Sequence, residues 1–90
     1  MKDKLELNRL EYMILESLNE YQCTDPYHGM TITEIMDDTE GALGVRMTVY
    51  RKLNKLLKAG YVEKGVMDNH ADTYYLSEKG WLLFDGGNKE

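Results

Sequence analysis

Apolar positions recur at helical spacing in three segments and at strand spacing in two, and this alternation sets the expected order of elements. In LNRLEYMILESLNEY, Leu10, Met13, Ile14, Leu18 and Tyr21 fall on one face at about 100° per residue, as an amphipathic helix requires. Tyr12 and Leu15 fall on the other side. Asn8 precedes Glu11 by three positions, the signature of a capping box, and Leu7 and Tyr12 occupy the positions of a hydrophobic staple. A first helix is therefore expected to start at Asn8.

QCTDPYHGM reads as loop from its Asp-Pro pair and Gly. MTITEIMDD opens on a second capping box, Thr31 with Glu34, which predicts a short second helix, with Met30 adding one residue pair to a small sheet. DTEGALG is a turn. A third helix is expected from about Val45 to Ala59, with Val49, Leu53, Leu56 and Leu57 on its inner face and Gly60 placed to end it. Past Gly60 the period becomes that of strands: YVEKGVM and TYYL form a β-hairpin around the polar tip DNHAD. Ser77 then caps a short closing helix, SEKGWLLF, ahead of the tail GGNKE.

Composition narrows the class. Ninety residues, 42% apolar and 30% charged, predict one α+β, mostly helical domain over 1–90. A chain of this size buries roughly 60% of its unfolded surface, enough for a small core and too little for a deep catalytic cavity. Cys23 is the only cysteine, so no intramolecular disulfide forms, and a reducing cytoplasm is the expected location. The apolar run Tyr12-Met13-Ile14-Leu15 is far too short for a membrane span.

Charge changes the picture more. The net charge is -5, yet six of the 11 basic residues (Arg46, Arg51, Lys52, Lys55, Lys58, Lys64) lie between positions 46 and 64 beside a single acid, Glu63. The chain is an acidic body with one cationic element. Met47, Arg51, Asn54, Lys55 and Lys58 lie opposite the inner face of the third helix, with Tyr50 on its flank. Such a stripe by itself is a solvated face. Here, however, the helix follows a short helix and a turn and precedes a hairpin, the setting in which the second helix of a helix-turn-helix enters the DNA major groove. Arg suits guanine edges and Asn suits adenine, while surrounding cations hold phosphates.

At these residues the chain resembles the winged helix-turn-helix regulators of the PadR and MarR type. TVYRKLNKLLKAGYV and TYYLSEKG carry the likeness through Thr48, Tyr50, Leu53, Leu56, Gly60, Val62, Leu76, Ser77 and Gly80, and TITEI is similar to the start of the family's second helix, with Thr31 as cap and Ile35 as core. The likeness spans roughly residues 8 to 84 and implies three helices and a β-hairpin wing, to which this sequence adds its own short C-terminal helix. The chain departs from the family in a longer, more acidic turn, in a wing tip with Asp68 and Asp72 and no Arg, and in a short C-terminal helix. The acids at the tip are expected to keep it away from phosphates.

Other chemistries find little support. Cys23, Asp25, His28 and His70 lack the tight spacing of a zinc site, Cys23 and His28 have no third group to orient them as a nucleophile and base, and no Gly-rich phosphate loop occurs. No metal, cofactor or enzymatic activity is expected, and no residue points to a small-molecule effector. The expected function is sequence-specific binding of double-stranded DNA by a homodimeric transcriptional regulator. Its DNA-contacting residues are Arg46, Met47, Thr48, Tyr50, Arg51, Asn54, Lys55, Lys58 and Lys64, and its dimer interface is built from Tyr12, Leu15, Trp81 and Phe84. Two alternatives remain open: a plasmid- or phage-type partition or replication protein that binds DNA, and a winged helix used as a protein-interaction module.

Overall fold

Three of the four helices begin at a polar cap that the sequence announces. The computed structural model describes residues 7–84, so the tail GGNKE lies outside the described residues. In α1 (Arg9–Glu20) the Asn8 side chain accepts from the Glu11 amide at 2.9 Å, and the Glu11 carboxylate accepts from the Asn8 amide at 3.1 Å. After β1 (Met30–Thr31), Thr31 and Glu34 repeat the arrangement at the head of α2 (Ile32–Asp38). α3 (Arg46–Ala59) follows the turn, and β2 (Val62–Lys64) and β3 (Thr73–Leu76) form the hairpin. Ser77 caps α4 (Glu78–Leu82) by accepting from the Gly80 amide. Each such cap stabilises its helix by about 1 kcal/mol. α3 is the exception: Val45 offers its first turn no side-chain acceptor.

The strands form one antiparallel sheet in the order β1-β3-β2. β1 contributes two pairs, Met30 with Tyr74 and Thr31 with Thr73, one more than the sequence predicts. The sheet closes one side of a core formed by Ile14, Leu15 and Leu18 of α1, Ile35 of α2, and Val49, Leu53 and Leu56 of α3. Leu43, in the α2–α3 turn, is also buried and pins that turn to the core. Burying each such side chain contributes about 1.5–3 kcal/mol.

α1 corrects the expected face. Leu15, expected on the dimer surface, is fully buried, and Tyr21 is 58% exposed. The buried residues of α1 are Glu11, Ile14, Leu15, Ser17 and Leu18, a face turned by about 50° from the one that apolar spacing alone defines. The cause is two polar residues that point inward because other helices supply their partners. Ser17 Oγ donates to Asp38 Oδ2 of α2 at 2.6 Å, and Lys55 of α3 lies 3.0 Å from Glu11 Oε2. Tyr21 instead donates its hydroxyl to Asp38 Oδ1, and that carboxylate raises the phenol's pKa.

The end of α3 is tied to α4. Gly60 takes the left-handed conformation, φ 87°, that ends the helix and that a side chain would disfavour. Ser77 Oγ donates to the Gly60 carbonyl, Lys79 Nζ donates to the Ala59 carbonyl at 2.7 Å, and the Ser77 amide donates to Tyr61 O at 3.1 Å. A Cβ on Gly80 would collide with the Tyr61 carbonyl, so α4 can sit this close only with glycine there.

Within the polar tip DNHAD expected from sequence, the reversal itself takes only two residues. Asp68 and Ala71 exchange both backbone hydrogen bonds at 2.9 Å, leaving Asn69 and His70 as a two-residue turn with φ 54° and 70°. Two consecutive positive φ values define a type I′ hairpin turn, whose twist matches that of the strands. Asp72 therefore lies below the tip.

Candidate nucleic-acid interface

α3 is positioned by its inner residues, and their burial fixes what it shows to solvent. With Val49, Leu53 and Leu56 in the core, Met47, Arg51 and Lys58 project outward and are exposed, and Asn54 is half-buried beside them. Among the described residues no acid forms an ion pair with Arg51, Lys52 or Lys58. Arg46, the first residue of α3, donates from Nη1 to Thr33 Oγ1 at 3.0 Å. That bond joins the two helices of the helix-turn-helix without neutralising the guanidinium. The uncapped amides at the start of α3 add donors for an anion. The result is an outward face of α3 that carries cations, with free amides at the helix start.

Two of the expected DNA-facing residues have other partners. Lys55 pairs with the buried Glu11 and so bridges α3 to α1. Lys64, at the end of β2, pairs with Asp72 at 3.2 Å, and this partner raises the lysine's pKa. Asp72 reads from sequence as a bare acid of the wing tip, and the structure instead places it against a cation of the stem. Nothing in the sequence marks either pair, because 44 positions separate Glu11 from Lys55 and Glu11 is already accounted for as a capping residue. Thr48 is half-buried and Tyr50 exposed, on opposite flanks of α3.

The apolar surface gathers at α1 and α4. Tyr12 and Phe84 pack with ring centroids 5.4 Å apart and planes tilted by 41°, and Trp81, Leu82 and Leu83 are all more than a third exposed. Tyr12 and Trp81 are thus exposed and Phe84 is half-buried beside Tyr12, whereas Leu15 is in the core. A separate cleft of about 720 Å³ is lined by Tyr21, Cys23, Tyr27 and the acids Glu34, Asp37 and Asp38. Among the described residues no three His, Cys, Asp or Glu side chains come together as a metal site, and no helix is long and apolar enough to cross a membrane.

Comparison with known proteins places this geometry. No protein-family model matches the chain. The DNA-binding protein TubR of the Clostridium botulinum C phage is 30% identical over 76 residues, which span 84% of this chain and 90% of that protein. The chain belongs to the TubR family. The solution structure of the DNA-binding TubR fragment from Clostridium botulinum superposes with a TM-score of 0.64 at 30% identity, covering 84% of this chain and 90% of that one. TubR from Bacillus megaterium pBM400 matches with a TM-score of 0.75 over 98% of this chain and 91% of its own, at 18% identity, and so attests the fold. The Vibrio cholerae ferric uptake regulator has a TM-score of 0.65 at 25% identity, covering 83% of this chain and 56% of its own. The TubR fold seen here is a winged helix: a helix-turn-helix of α2 and α3 with the β2–β3 hairpin as its wing.

Proposed function

We propose that this TubR-family chain binds duplex DNA by laying α3 in the major groove. The observation that supports this best is the outward face of α3, where Arg51 and Lys58 stand exposed without an ionic partner among the described residues on a chain that is otherwise acidic. Arg51 and Asn54 are the base-reading candidates, and Arg46 and Lys58 with the uncapped first turn are the phosphate-binding groups. Met47, Thr48 and Tyr50 line the same approach. The relatives, one from a phage and one from pBM400, favour a partition or replication role of the plasmid or phage kind over the transcriptional regulation implied by the PadR and MarR resemblance.

A single α3 reads only a few base pairs, and a two-fold dimer supplies the second half-site. The exposed Tyr12, Trp81, Leu82 and Leu83, with the half-buried Phe84 beside Tyr12, are the surface we assign to that dimer.

Fluorescence anisotropy with duplexes selected from a random pool, read at several salt concentrations, tests the interface. A substitution that deletes one phosphate-binding cation should flatten the slope of log K against log salt by about 0.9, and Arg51→Ala should also relax preference at one base pair by about 1–3 kcal/mol. Undiminished binding by the Arg51→Ala, Lys58→Ala double variant would overturn the assignment. Light scattering of the wild type beside Trp81→Glu tests the dimer, which should dissociate in the variant.

A further inference from the structure

The wing stem carries a cation beside α3, and it is already engaged. Lys64 is the cross-strand partner of Tyr74, and Asp72 lies two residues before Tyr74 on β3's approach. Side chains two apart along a strand share a face, so Lys64 and Asp72 flank Tyr74 on the side of the sheet that also carries Val62 and Leu76. There the Lys64 ammonium lies 3.2 Å from Asp72 Oδ2, with both side chains nearly half exposed. Beneath them Tyr74 is fully buried, and among the described residues its hydroxyl has no hydrogen-bond partner. Burial raises the pKa of that phenol, and α3 packs against β2, so the Lys64–Asp72 pair lies at the junction of wing and α3.

We propose that Asp72 is an electrostatic latch that withholds Lys64 from the DNA backbone and so sets how much the wing adds to affinity. The inference rests on the reading of α3 as the DNA-facing helix, since only then does the stem lie beside a phosphate row. An ion pair between half-exposed groups is weak, so a phosphate can compete for the ammonium. The competition is costly on both sides: the phosphate must displace Asp72, and the carboxylate left behind repels it. Lys64 is therefore nearly silent in the native chain and binds a phosphate fully only when its acid partner is removed. The other stem acid, Glu63, does not share this role, because its carboxylate accepts from the Tyr75 hydroxyl at 2.9 Å on the opposite face.

The test is anisotropy binding to one selected duplex by the full chain, its Lys64→Met, Asp72→Asn and double variants, with Asp72→Ala as a second removal of the carboxylate and melting curves to confirm folding. Asp72→Asn should tighten binding roughly three- to tenfold and steepen the salt slope by up to about 0.9, the contribution of one added phosphate interaction. Lys64→Met alone should change affinity less than twofold, and in the double variant the gain from Asp72→Asn should vanish. A gain that persists without Lys64 would mean that Asp72 acts only by general repulsion, and that result overturns the latch, as does no gain at all. The Arg51→Ala, Lys58→Ala variant separates the two readings. If it loses binding while Asp72→Asn does nothing, the latch fails and the α3 assignment stands; if it binds undiminished, the α3 assignment fails with it.

Discussion

Replacing Lys55 by Met should destabilise the fold more than it weakens DNA binding. Glu11 is 2% exposed, and its carboxylate has two described partners, the Asn8 amide on Oε1 at 3.1 Å and the Lys55 ammonium on Oε2 at 3.0 Å. Lys55→Met keeps most of the aliphatic stem and deletes the charge, leaving a buried anion with half its partners. Removing one member of a fully buried pair costs about 3–5 kcal/mol. Lys55 itself is about half exposed, so water can reach the vacated oxygen, and the expected loss is nearer 1–3 kcal/mol. For a domain of this length that corresponds to a fall in Tm of about 4–8 °C per kcal/mol. Thermal and urea unfolding followed by circular dichroism would measure it, with Glu11→Gln and the double variant completing a cycle. The double variant should recover part of the loss, since a neutral amide needs no counterion. A Lys55→Met protein within about 0.5 kcal/mol of wild type, the range of ordinary surface changes, would refute the bridge. So would strict additivity of the two single changes.

His70→Gly should stabilise the chain by about 0.5–1 kcal/mol, because the second position of the wing turn holds φ 70° and glycine adopts that conformation without steric cost; urea unfolding would show it, and a loss would mean that the His70 side chain makes interactions that offset the strain. Cys23 is buried, and burial pushes its thiol up to about 11, so alkylation by iodoacetamide at pH 8 should run roughly a hundredfold slower in the folded chain than in urea. Because the unfolded thiol deprotonates first, stability present below about pH 9 declines as pH rises towards 11, by about 2–3 kcal/mol, and Cys23→Ala should remove that part of the alkaline decline.

What the sequence made legible was local. Asn8 with Glu11, Thr31 with Glu34, Ser77, and Gly60 each satisfy or terminate a helix within a few residues of themselves, and all four mark their helix ends as expected. The inner face of α3 was equally plain, since Val49, Leu53 and Leu56 fall on one side at helical spacing and Arg51, Asn54 and Lys58 on the other. α1 misled because it touches α2, α3 and the sheet at once. Its buried face includes Glu11 and Ser17, and polar residues with distant partners do not register in a hydrophobic period. The same limit explains Lys55 and Lys64. Their place on a cationic stripe follows from position in the chain, whereas the acids that engage them arrive from elsewhere in the fold.

The two-residue turn at Asn69 and His70 makes the wing the part of this architecture whose reach can be altered in steps. Distal to the Lys64–Tyr74 pair the hairpin adds no apolar side chain to the core, while Val62 and Leu76 anchor its base. Adding one residue to each arm would carry the tip outward by about 3.4 Å and leave the register at the base untouched, whereas an unmatched single insertion would create a bulge and swing the tip aside. Lineages that diverge in target, or designers who graft a basic finger onto this scaffold, can lengthen it there without disturbing the α3–α4 junction sealed by Gly60, Ser77 and Lys79.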